Sequence, residues 1–309
     1  MMSCAERMTY LITCLSTLCD FARKGCDSLS VYSTNMDMES STTNSNEQEG
    51  ASTSSGLPKP ITATAFAMRH NRWRNRRPDI PCFDHSRVIL RNVIFGRSSP
   101  SDYIHANFVD GFKRKKMFIA TQAPTEKTVE DFLDLVMQSD SRYIIVMTAI
   151  MENGINKCYP YWPMKIGHLR MFNLWRITLD SKYSGDGYTK YLLKITHVQL
   201  KTINHNITLV YYINWPQNSV WTNHMEFKNF VKTVVADINY HRREDASFEP
   251  PIIVHGCLGV YRTIVYCIAH DIQDMIGSNE SQVSDEMIDQ SMNRIISMRY
   301  TRIEYLNVR

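Results

Sequence analysis

The sequence contains eight cysteines but no Cys-x-x-Cys pair, and His255 stands too far from any of them in the chain to complete a zinc set. That excludes the common structural zinc modules, and no metal is expected. Long apolar runs are also missing. The stretch Met8–Phe21 is interrupted by Thr9, Thr13, Ser16 and Thr17 and carries Asp20, too short and too polar for a spanning helix of about 20 residues. It follows Arg7 and has the outline of a secretory h-region, but it lacks a small-x-small cleavage site. A large excess of one charge is absent: the net charge is +4. So mild a balance suits contact with acidic or phosphorylated groups without demanding nucleic acid. No internal repeat is visible. Cys82, Cys158, Cys257 and Cys267, scattered over the hydrophobic part of the chain, read as reduced thiols of a cytosol-like compartment.

What is present divides into two parts. Residues 1–57 hold a short leucine-bearing stretch (Leu11, Leu15, Leu18) and then Ser, Thr, Asn, Glu and Gly, as in Ser40–Asn46. So little apolar surface cannot offset the entropy of ordering the chain, and this part reads as a mostly disordered extension. Residues 58–309 read as one globular domain. A helix is expected over 61–74, ending in a basic cluster (Arg69, Arg72, Arg74, Arg76, Arg77). Strands are expected at 87–90, 106–109, 117–121, 142–147, 172–179, 188–200 and 207–215, with Asp110-Gly111 and Ser184–Gly187 as turns. Helical periodicity marks 125–138, 223–240, a run beginning at Arg262, and 284–298. Mixed strands followed by strand–loop–helix and further helices make an α/β domain: a large, twisted mixed β-sheet flanked by helices.

The stretch 251–263 organises the rest. Ile252, Ile253 and Val254 form a β-branched run that stops at His255. A small-residue loop follows, and Arg262 opens an apolar helical run. Loop N–H groups, a helix N-terminus and a forked guanidinium together form a cradle for an anion. Its candidate members are Arg262, Cys257, Leu258, Gly259, Val260 and Tyr261.

Seven blocks in order then carry a resemblance. They are Asn75-Arg76-x-x-Asp79, Phe83–Val88, Asp102-Tyr103-Ile104-x-Ala106-Asn107, Phe118-Ile119-Ala120-Thr121-Gln122-x-Pro124, Lys157-Cys158-x-x-Tyr161-Trp162-Pro163, Trp215-Pro216 and His255–Thr263. The segment from about residue 58 onward resembles the catalytic domain of the protein-tyrosine phosphatases, a non-receptor type of it, and most of all the phosphatase-like proteins of bracoviruses, which parasitoid wasps deliver into insect hosts. The resemblance implies a phosphotyrosine-binding loop around Arg77 and Asp79, a phosphate cradle at 256–262, and no cofactor.

It also implies four chemical roles, and this sequence departs from each. The family's nucleophilic cysteine, directly after the histidine, is here Gly256, which supplies no covalent intermediate. Cys257 comes one place late, and adjacent side chains of a tight loop diverge, so it is expected off the attack line. The family's general-acid aspartate after Trp-Pro is Gln217, an amide with no proton to give. The tyrosine that walls the substrate ring is Arg77, expected to stack on an aromatic ring or reach a phosphate. The two glutamines that position water align with Tyr300 and Glu304. His255 then has no thiol to tune and reads as structural. The expectation is an inactive phosphatase relative that binds phosphotyrosine proteins in the cytoplasm of an infected host cell and interferes with host signalling. Two alternatives stand beside it: an interaction scaffold that ignores the pocket, and an enzyme that uses Cys257. The sequence leaves the oligomeric state open.

Overall fold

The computed structural model describes residues 61–91, 96, 101–215, 224–244, 249–279 and 283–297. The extension 1–57 and the positions Gln217, Tyr300 and Glu304 lie outside the described residues.

Among the described residues, eleven strands and five α-helices follow in this order: α1 (Thr64–Ala67), a 3-10 turn (Arg69–Arg74), β1 (Arg87–Ile89), β2 (Tyr103–Val109), β3 (Phe118–Gln122), α2 (Val129–Ser139), β4 (Tyr143–Val146), β5 (Met151–Glu152), β6 (Ile155–Asn156), β7 (Leu169–Phe172), β8 (Trp175–Ser184), β9 (Tyr188–His197), β10 (Asn204–Tyr212), α3 (His224–Glu244), β11 (Ile252–Gly256), α4 (Tyr261–Asn279) and α5 (Asp285–Ser297). Nine strands form one sheet in the order β1-β2-β3-β11-β4-β10-β9-β8-β7, and β5 and β6 form a separate hairpin. The central strands β3, β11, β4 and β10 are mutually parallel, and both flanks are antiparallel. The mixed α/β sheet read from the sequence is therefore present.

Strand β11 sits in the middle and is buried along its whole length. Its side chains alternate as a period of two requires. Ile252 and Val254 enter the core under α3, α4 and α5, and Ile253 enters the opposite core with α2, Trp162 and Trp175. Burial on both faces explains why its apolar residues run on without polar interruption.

Several boundaries differ from the sequence reading. The helix expected over 61–74 breaks at Met68 (ψ 130°) into α1 and the 3-10 turn. The Asp84 carboxylate accepts from the Thr64 and Ala65 N–H groups and fixes the start of α1. Helix α2 begins at Val129 rather than near Thr125; the Thr128 hydroxyl turns back to accept from the Thr125 N–H, 2.9 Å, and caps no helical N–H. The strand expected over 172–179 is two strands: Asn173, at φ 45°, makes the turn between β7 and β8. No described helix is long and apolar enough to cross a membrane.

Candidate functional site

β11 carries His255 and Gly256 at its C-terminal end, a loop of four residues follows, and α4 starts at Tyr261 with Arg262 in its first turn. The loop is pinned from beneath by the end of β3. The Ala123 N–H donates to the Gly256 carbonyl (2.9 Å) and the Cys257 carbonyl (3.1 Å). Arg76 in turn donates from Nε to the Ala123 carbonyl (2.6 Å) and from Nη2 to that of Pro124 (2.9 Å). Gln122 closes the joint, accepting from the Arg76 N–H (3.0 Å) and donating to the Arg74 carbonyl (2.7 Å). Residues 122–124 thus carry both the 75–79 segment and the 256–262 loop.

The two loop glycines differ in kind. Gly259 has φ +70°, and a Cβ there would lie 2.4 Å from the Thr121 carbonyl carbon, so the position admits only glycine. Gly256 has no such constraint. A Cβ there would meet the Thr263 hydroxyl at 3.2 Å and the Arg262 Cβ at 3.6 Å, a fit needing a shift of tenths of an ångström. The Gly256 N–H donates to the Thr263 hydroxyl, 2.7 Å. Its lack of a side chain is therefore a chemical fact rather than a demand of the turn.

A cavity of about 230 Å³ opens above the loop, lined by residues 256–263 together with Glu152, Asn153, Ile155 and Lys157. The six cradle candidates, Cys257 to Arg262, all line it. Cys257 is half-buried at its wall, more open than the packed thiol a tight loop suggests. Arg262 faces Glu152 through both guanidinium ends: Nη1–Oε1 2.5 Å and Nη2–Oε2 3.3 Å. The pair is nearly buried, at 16% and 9% side-chain exposure. The Arg262 guanidinium also lies 5.9 Å from the Trp215 ring, which packs edge-on against Phe227.

Glu152 reaches the site because β5 and β6 form a two-residue hairpin, with Met151 opposite Asn156 and Glu152 opposite Ile155. Asn153 (φ 50°) and Gly154 (φ 74°) form its turn. Asn-Gly with both φ values positive is the turn that matches strand twist. The dipeptide signals a hairpin in the sequence, but nothing there says that the neighbouring carboxylate meets an arginine 110 positions later.

His255 is fully buried. Its Nε2 lies 2.9 Å from the Tyr161 hydroxyl, and the Phe132 ring stands edge-on to it. Burial, and secondarily the Arg76 charge, push its pKa down to about 3. A neutral imidazole walled by aromatics is neither acid nor base for a substrate in the cavity.

Arg77 meets a carboxylate of its own loop. Its Nε donates to one Asp79 oxygen (2.7 Å) and its Nη2 to the other, and neither residue lines the cavity. A carboxylate two positions away offers the fork a nearer partner than any group across the loop. The same contact lowers the Asp79 pKa. Among the described residues no group of three or more His, Cys, Asp or Glu is arranged to hold a metal.

The comparisons agree with this geometry. The family model described as "Protein-tyrosine phosphatase" matches residues 71–307. "Probable tyrosine phosphatase protein N1" of Microplitis demolitor bracovirus (isolate Webb) is 34% identical over 216 residues, covering 68% of this chain and 65% of that protein. "Tyrosine phosphatase-like protein J1" of the same virus is 34% identical over 202 residues, 64% of this chain and 66% of the relative. "Tyrosine-protein phosphatase non-receptor type 9" of Homo sapiens is 31% identical over 203 residues, covering 64% of this chain and 34% of that protein. The match spans just under two thirds of each of the two bracovirus proteins. A nine-stranded mixed sheet whose central strand runs through a short loop into a helix, in a chain matched along most of its length by the family model, makes this chain a member of the protein-tyrosine phosphatase family.

Proposed function

We propose that this protein is a phosphatase-fold protein without phosphatase turnover, which holds phosphotyrosine-bearing proteins and shields them from active phosphatases. Gly256 carries the reading. It stands where the family places its nucleophilic thiol, in a loop with room for a Cβ, and phosphoryl transfer to sulfur needs that thiolate. Gln217, Tyr300 and Glu304, aligned with the acid and water-positioning residues, remove further contributions to the same barrier. What supports binding is the intact cradle: loop N–H groups, the start of α4 and Arg262 around an open cavity. The likeness to bracovirus proteins supports partners in an infected insect cell, where sequestering tyrosine-phosphorylated proteins would interfere with immune signalling.

A second reading is favoured by one observation. Glu152 already compensates Arg262, which suits a scaffold that makes its contacts elsewhere on the surface. One experiment separates them. A phosphotyrosine peptide is titrated into the wild type and Arg262→Ala, beside an aryl-phosphate hydrolysis assay. Binding that Arg262→Ala abolishes, with a flat hydrolysis baseline, supports the trap. No binding at high micromolar peptide favours the scaffold. Hydrolysis that Cys257→Ser removes overturns both.

A further inference from the structure

The 3-10 turn before the site carries a surface that the cradle does not use. Met68 and Trp73 are 43% and 47% exposed. The Arg74 guanidinium lies 4.1 Å from the centre of the Trp73 ring. Arg74 is itself held by the buried Asp131, 3.3 Å, so the indole has a fixed backing. Arg69 and Arg72 lie in the same turn, exposed and without an ion pair among the described residues. The acids of this region are already engaged: Asp79 by Arg77, Asp131 by Arg74, and Asp84 by Thr62, Thr64 and Ala65. A backed, exposed tryptophan in one turn with two uncompensated arginines has the composition of an interface anchor and the charge to draw an acidic strand of chain.

The chain itself supplies that complement. Between Gly25 and Pro58 the sequence holds five carboxylates, Asp27, Asp37, Glu39, Glu47 and Glu49, and no lysine, arginine or histidine. Glu49 lies a dozen positions before Ile61, and a dozen residues of chain span up to ~40 Å. Tethering at that range makes the encounter intramolecular, at a millimolar-scale effective concentration, so weak ion pairs suffice to populate it.

We propose that the acidic segment 27–57 docks on the Arg69–Arg72–Trp73 face of its own chain. The contact covers the indole and Met68, and it competes with any external acidic polypeptide for the same two arginines. It is independent of whether the cradle binds phosphate.

The test is hydroxyl-radical footprinting of the full chain, which reads the oxidation rates of Trp73 and Met68 directly. The comparison is with Asp27→Asn/Asp37→Asn/Glu39→Gln/Glu47→Gln/Glu49→Gln, whose changes all precede the folded domain. Both rates are expected to rise about threefold or more in the variant, a size suited to a few exposed ion pairs acting together. Met151 and Met225, 59% and 58% exposed elsewhere, serve as internal references and stay constant. Raising salt to about 0.5 M should lift the wild-type rates toward those of the variant and leave the variant unchanged. Arg69→Glu/Arg72→Glu in the wild-type background should give the same release. Equal rates in wild type and the five-acid variant overturn the proposal. If poly-glutamate then slows Trp73 oxidation equally in both, the face belongs to an external acidic partner.

Discussion

Arg262 and Glu152 hold each other end to end, two guanidinium nitrogens against two carboxylate oxygens, across the gap between α4 and the β5–β6 hairpin. The pair fixes the arginine in the orientation that lines the cavity, and it joins two parts of the chain that share no sheet.

Removing the acid therefore exposes its cost. Glu152→Ala leaves a guanidinium at 16% exposure without its partner, and the unfolding free energy should fall by about 1–3 kcal/mol. Urea melts measure the loss. Inorganic phosphate should raise the melting temperature of the variant more than that of the wild type, because the anion restores the missing charge. An unchanged urea midpoint would show that the pair is not formed in solution.

The two loop glycines should part company under substitution. Gly256→Cys should unfold within about 1 kcal/mol of the wild type, since its Cβ needs only a small accommodation. Gly259→Ala should lose on the order of 3 kcal/mol or more, through positive φ and collision with the Thr121 backbone. Gly256→Cys should still hydrolyse an aryl phosphate at least ~10²-fold more slowly than an active relative, for want of a proton donor at Gln217. Robust turnover in that variant would sink the view that the other departures matter.

Arg77 occupies the carboxylate of Asp79, the other residue of the phosphotyrosine-binding loop that the resemblance implies. Arg77→Ala frees Asp79 at the cost of one partly exposed ion pair, a contact worth a few tenths to one kcal/mol. Affinity for a phosphotyrosyl peptide should rise roughly twofold to fivefold, while affinity for inorganic phosphate stays constant. Equal gains for both ligands would place Arg77 in the field of the cradle instead.

Acid should destabilise the fold well above the carboxylate range. His255 and His270 are both fully buried, and burial pushes each pKa from 6.5 down to about 3. In the unfolded chain they take up protons as pH falls through about 6.5, while the folded protein stays neutral there. Stability is complete above that value and declines between about 6.5 and 3, by on the order of 2 kcal/mol per histidine at pH 5. Asp271, its pKa raised by burial, opposes the trend in part. Urea midpoints at pH 7 and pH 5 test it, and His255→Gln should flatten the slope. An equal slope in that variant would count against a neutral buried imidazole.

Much of the architecture was legible because period and punctuation agree with burial. Ile252–Val254 reads as a buried strand and is one, and Arg262 reads as the first turn of a helix and is. The strand–loop–helix around them was equally legible, because strand, small loop and arginine are contiguous in sequence. What escaped is made by pairs distant along the chain. The Glu152–Arg262 bridge and the seating of Arg76 on residues 123 and 124 leave no local pattern. The Arg77–Asp79 pair escaped for the opposite reason: its two members stand too close in sequence to attract notice. The break at Met68 escaped because Arg69–Arg74 keeps helical composition while its hydrogen bonds tighten to a 3-10 turn.

The shared footing at residues 122–124 has a consequence for how this protein tolerates change. Ala123 holds the loop by its backbone N–H and Arg76 by its carbonyl, so neither attachment depends on which side chain stands at position 256. Chemistry and architecture therefore draw on separate atoms. A change of side chain at position 256 would leave both attachments in place, and with them the loop that walls the cavity.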